Sequence, residues 1–114
     1  MNDVVIDESA LESMESLLGE QFSDTLTFCC AEFERLASEF FSAFGNDLEA
    51  SIRHAHSLKS NASQFGATSL SEVAREIEHS LNNNEHDKAE AASRLLNEQV
   101  SKTQLELTAW LAAR

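Results

Sequence analysis

His56 and Lys59 stand one helical turn apart in the run His56-Ser-Leu-Lys-Ser-Asn-Ala-Ser-Gln-Phe-Gly-Ala67, and most of the residues around them are small. At about 100° per residue, Lys59 and Ser60 flank His56 one turn on and Ser63 follows two turns on. Ala55, Leu58, Ala62 and Phe65 fall on the opposite side. The apolar stripe can be buried while the imidazole stays in water. A histidine side chain titrates near pH 6.5 in free peptides, so at neutral pH it offers a ring nitrogen able to attack phosphorus without a strong base. An ammonium group beside it offsets phosphoryl charge, and small neighbours leave room for a partner to approach. That chemistry is phosphoryl carriage. Ile52, one turn before His56, is apolar on a face the pattern assigns to water, and it reads as docking surface rather than core.

The elements that must hold this face are helical. The 114 residues contain no Pro, three Gly and few β-branched residues, so little interrupts a helix. Asp7 can cap a short amphipathic helix bearing Leu11, Met14, Leu17 and Leu18, with Gly19 as its stop. From about residue 20 to 44, Phe22, Leu26, Cys29, Phe33, Leu36, Phe40 and Phe44 recur at spacings of three and four, ended by Gly45. Phe28 and Phe41 lie off that stripe, either covering the first helix or forming an exposed patch. Asp47 caps the next helix, which turns Leu48, Ala55, Leu58, Ala62 and Phe65 inward and runs to about Gln64, with Gly66 ending it. Ser69-Leu-Ser-Glu72 has the spacing of a capping box opening a helix with Leu70, Val73, Ala74, Ile77 and Leu81 inside. After a turn at 82–86, Asp87 begins a last long helix carrying Leu95, Leu96, Val100, Leu107, Trp110 and Leu111 inward. Four long helices with short connections predict an all-α fold, an antiparallel up-and-down four-helix bundle with the short N-terminal helix capping one end.

The length and the single set of stripes fit one domain over 1–114, stand-alone and monomeric. A net charge of −12 argues against nucleic acid and anionic membranes as partners. Residues 1–50 hold one basic and twelve acidic side chains, whereas 51–114 hold seven and eight, so the His56 half is nearly neutral. Adjacent Cys29 and Cys30 form no CxxC motif and read as packed thiols. Glu76-x-x-His79 lacks the second such pair that a di-metal bundle needs, so no metal is expected. Neither a signal peptide nor an apolar run of spanning length is seen, which predicts a cytoplasmic location.

The run resembles the hallmark H-x-[LI]-K-G-x(5)-G-[AL] of histidine-containing phosphotransfer (HPt) domains of bacterial multistep phosphorelays, matched at His56, Leu58, Lys59, Gly66 and Ala67. An Ile-Asp start, Leu17-Leu18-Gly19, a Phe-rich second helix and Ile77-Glu78 extend the similarity over most of the chain. Ser60 departs from the usual Gly and remains small. The resemblance implies that His56 Nε2 accepts a phosphoryl group from a receiver-domain aspartate of a hybrid sensor kinase and passes it to that of a response regulator. It implies no intrinsic cofactor, Mg²⁺ being supplied by the receiver, and a carrier rather than an autonomous enzyme. Lys59 would neutralise phosphate charge, Ser60, Ser63 and Ile52 would form the docking face, and Glu78 would orient the imidazole through Nδ1–H. The alternatives are a helical adaptor docking on a receiver or kinase without taking phosphate, and a metal-binding or redox bundle; intact His56 and Lys59 weigh against the first and the apolar stripes against the second.

Overall fold

The computed structural model describes residues 3–114. It contains α1 (Glu8–Leu18), a 3-10 turn (Gly19–Gln21), α2 (Phe22–Ala43), α3 (Leu48–Gln64), α4 (Thr68–Asn82), α5 (His86–Ser93) and α6 (Leu96–Ala112). The two aspartate caps form as the sequence requires: Asp7 accepts from the amides of Ser9 and Ala10, and Asp47 from that of Ala50. The connections after α2, α3 and α4 are too short to run back along a helix, so successive helices are antiparallel neighbours. α3 lies between α2 and α4, and α6 closes the bundle against both α2 and α4. Phe33, Phe40, Leu58, Leu70, Ile77 and Leu107 are among the side chains fully enclosed between them. This is the expected all-α up-and-down bundle.

Several details differ from the sequence reading. The last helix is broken into α5 and α6, with Arg94 and Leu95 between them; the Ser93 hydroxyl turns back onto the Glu90 carbonyl and the Leu95 amide bonds to Ala92 three residues behind, tightening the backbone there. The break rotates Leu95 outward to 37% exposure while Leu96 takes the buried place. Leu48, expected inward, is also exposed, as the first residue of α3 on the rim of an open cleft that Phe44, Leu81 and His86 also line. The Ser69 capping box does not form. α4 begins two residues earlier, at Thr68 with Ala67 as its N-cap, and the Ser69 hydroxyl instead donates to Gln99 Oε1 and accepts from the Val5 amide. Phe28 stands exposed rather than under α1, whereas Phe41 is partly shielded by edge-on contact with Phe40. His86, placed in a turn by the sequence, is the first residue of α5 and stacks flat on Phe44.

The N-terminal segment is bound where α3 turns into α4. The Asp7 amide donates to the Gly66 carbonyl at 2.8 Å, Ile6 pairs with Ala67 in an antiparallel bridge, and the Ser69 amide donates to the Val5 carbonyl. α1 then folds over the same end of the bundle. There the Trp110 ring meets Phe22 edge-on, its Nε1 donates to Glu8, and Arg114 lies over the ring while pairing with Glu15.

Gly66 has φ +73°, and a Cβ on it would sit 2.4 Å from the Asp7 carbonyl oxygen. Gly45 shares the left-handed backbone, at φ +86°, but has open space around it. Gly45→Ala is therefore expected to lose only the conformational term, about 1 kcal/mol. Gly66→Ala must also push the N-terminal segment away, and its loss should exceed that of Gly45→Ala by about 1–3 kcal/mol. Urea unfolding of the two variants checks this; equal losses would mean that the clamp at Gly66 adds nothing.

Candidate functional site

α3 and α4 run antiparallel, and their register brings the three polar residues singled out in the sequence into one group. Glu78, on the face of α4 turned toward α3, receives His56 Nδ1 at 2.8 Å on one carboxylate oxygen and Lys59 Nζ at 2.6 Å on the other. The carboxylate is thus fully occupied by an imidazole and an ammonium held one turn apart. The Ser71 hydroxyl donates to the Lys59 carbonyl at 3.1 Å, a second tie between the helices beside the site.

Exposure divides the roles. The His56 side chain is 57% exposed, Lys59 27% and Glu78 15%, so the carboxylate lies beneath an accessible ring. Burial alone would raise the Glu78 carboxyl. The hydrogen bonds and charges of Lys59 and His56 outweigh it and hold the group below the usual carboxylate range. A carboxylate facing Nδ1 favours the tautomer that carries the proton there, which leaves the Nε2 lone pair free.

Ser60 and Ser63 are exposed on the outer surface of α3. Ile52 is only partly buried and packs against the core, so it is core edge as well as surface, not surface alone as the spacing indicated. Gly66 ends α3 as expected, but its place is set by the clamp on Asp7 rather than by proximity to His56. Beside Lys59 a shallow groove runs between the helices, lined by Ser60, Ser63, Ser71, Glu72 and Arg75. Sequence reasoning passed over Ser71 and Arg75. Their signal was present, since they lie seven and three residues before Glu78 and share its side of α4 once that side is known to face α3.

The remaining histidines lie elsewhere: His79 contacts Asn83, His86 stacks on Phe44, and His54 is half-buried on α3. Burial pushes the Cys29 thiol up to about 12 and raises that of Cys30, which makes both poor nucleophiles. Among the described residues no His, Cys, Asp or Glu cluster is able to hold a metal ion, and no helix is long and apolar enough to cross a membrane.

Comparison with known families matches residues 8–112 to the Hpt domain. Among solved structures, histidine-containing phosphotransfer protein B of Pseudomonas aeruginosa superposes with a TM-score of 0.88 at 20% identity, covering 96% of each chain. A histidine-containing phosphotransfer protein from maize gives 0.80 at 15% identity, covering 96% of this chain and 91% of the other. At these identities the structural likeness speaks for the bundle itself. Comparison with curated proteins gives no significant match.

The network makes a linkage prediction. Glu78 has its folded pKa depressed, so the stability it contributes is fully present above the unfolded carboxyl value of about 4.3 and is lost as pH falls through the lower folded value. Wild type is expected to lose more stability than Glu78→Gln on acidification from about pH 5 to pH 3. Other carboxylates titrate alike in both proteins, so the difference in urea midpoints isolates this one. Parallel curves would show that the shared carboxylate adds nothing to the folded state.

Proposed function

Because the chain belongs to the Hpt domain family, we propose that it is a phosphorelay intermediate that carries a phosphoryl group on His56 between receiver domains, one of a hybrid sensor kinase and one of a response regulator. The observation that carries this reading is the exposed imidazole whose Nδ1 is taken up by Glu78, which leaves the Nε2 lone pair for chemistry. In the forward step the Nε2 lone pair attacks phosphorus of the receiver's aspartyl phosphate. The Nε2–P bond forms as the P–O bond to the aspartate breaks, and the aspartate leaves as a carboxylate. The proton stays on Nδ1, and the positive charge that the ring gains is met by the Glu78 carboxylate. The reverse step returns the group to another receiver's aspartate.

Such transfer depends on charge neutralisation and in-line alignment more than on acid–base chemistry. Lys59 is held beside the ring through the shared Glu78 carboxylate, and it offsets part of the phosphoryl charge. Ser60 and Ser63 keep the approach open, and Ile52 supplies apolar area beside it. Mg²⁺ belongs to the receiver in this scheme, and the protein acts as a carrier with no turnover of its own, working in the cytoplasm where receivers act.

His56→Gln is expected to abolish uptake of label from a phosphorylated receiver with the helical circular dichroism signal intact, while changes at His54, His79 or His86 leave uptake near wild type. The phosphorylated protein should be stable in alkali and labile in acid, as a phosphoramidate is. Label on a His56→Gln protein would overturn the assignment. A wild-type protein that binds receivers yet never takes label would mark a docking adaptor instead. Lys59→Ala should slow transfer by the equivalent of about 1–3 kcal/mol of lost charge-assisted contact, read in rapid-quench time courses. Ser60→Arg should block receiver binding by bulk, with titration calorimetry as the check.

A further inference from the structure

A phosphoryl group on Nε2 brings up to two negative charges to a site whose one cation, Lys59, is shared with Glu78. Lys59 is bonded to Glu78 at 2.6 Å, and withdrawing it would leave a mostly buried carboxylate with the imidazole alone. The other cations differ in how firmly they are held. Arg35, across on α2, makes two hydrogen bonds to Glu32 and also reaches Glu39. Arg53 stands three residues before His56 on α3 and does not line the groove beside Lys59. Arg75, on α4, has one contact to Glu72 at 3.2 Å, with both side chains more than 60% exposed. An exposed pair three residues apart is worth a few tenths of a kcal/mol, so Arg75 can leave it readily.

Position adds to availability. Arg75 lines the same groove as Lys59, Ser60 and Ser63, and the two serines leave that space open. At about 1.5 Å per residue it stands roughly 4.5 Å along α4 from Glu78, a distance that an extended arginine side chain covers. A guanidinium fork matches phosphate oxygens in pairs, whereas an ammonium meets them as a point charge. Building on the phosphocarrier reading, we infer that Arg75 is a second phosphoryl-binding residue, which leaves Glu72 and closes over the groove onto phospho-His56 while Lys59 remains on Glu78.

Charged residues on the helices packed around the site include Glu49, Arg53 and Lys59 on α3, Glu32 and Arg35 on α2, and Glu72, Arg75 and Glu78 on α4. Of these, only Arg75 combines a weak existing contact with a place in the groove.

The test needs no receiver. Phosphoramidate transfers its phosphoryl group to accessible histidines with loss of ammonia, and the phosphorus resonance of the product can be followed with pH. A cation against the phosphoryl favours the dianion, so Arg75→Ala should raise the phosphoryl titration midpoint by about one unit, with Arg75→Lys between it and wild type. Arg53→Ala should leave the midpoint unchanged, and Glu72→Gln should leave it equal to or lower than wild type. A purely structural Arg75 would not move this midpoint in a folded protein. Coincident curves for wild type and Arg75→Ala overturn the inference while leaving the carrier reading standing. The carrier reading fails separately, if wild type takes no label from phosphorylated receivers.

Discussion

The register between α3 and α4 is the constraint on which the site rests. One carboxylate must meet an imidazole and an ammonium at once, and a slip of a single residue along α4 would rotate Glu78 by about 100° away from both. Nothing in the His56 face alone fixes that register. It is set at the turn, where Gly66 adopts a conformation open to glycine and brings its carbonyl to the Asp7 amide. It is held along the helices by Ala62, Leu58 and Ala55 against Leu70, Ala74 and Ile77, all nearly inaccessible. The small side chains let the two backbones approach, and that closeness brings Ser71 onto the Lys59 carbonyl. Packing and chemistry therefore depend on the same few positions.

What the sequence made legible follows from where its signals are local. The stripe of α2, the aspartate caps of α1 and α3, and the glycine stops are each decided within a turn or two of helix, and they appear as read. The break between α5 and α6 was not legible, because Ala-rich residues 89–92 favour helix and only tertiary contact turns Ser93 and Leu96 inward. Ser69 carried a correct local pattern for a cap, but a long-range partner, Gln99, and the Val5 amide took its hydroxyl. Local propensity lost there to a contact thirty residues away in the chain.

The site shows the same division. His56 and Lys59 were visible as a pair because three residues separate them on one helix. Glu78 required a second helix in the right register, and its candidacy came from family resemblance rather than from spacing. Arg75 and Ser71 became visible only with the face of α4 known. Ile52 shows the limit of a wheel projection: a flank position reads as solvent-facing, yet a bundle helix touching neighbours on two sides covers part of it.

The cluster around Trp110 has an optical consequence. Trp110 is the single tryptophan and the chain has no tyrosine. Its indole is enclosed by Phe22, Glu8 and Arg114, all at the junction of α1 with α6 and the start of α2. His56 lies several turns away along the bundle, near the middle of α3. Intrinsic emission from this protein is therefore a gauge of whether the short first helix is seated, and it stays silent about what happens at the imidazole. An indole introduced near Ser60 would supply the missing second channel, so that seating of α1 and occupancy of His56 can be read independently in the same cuvette.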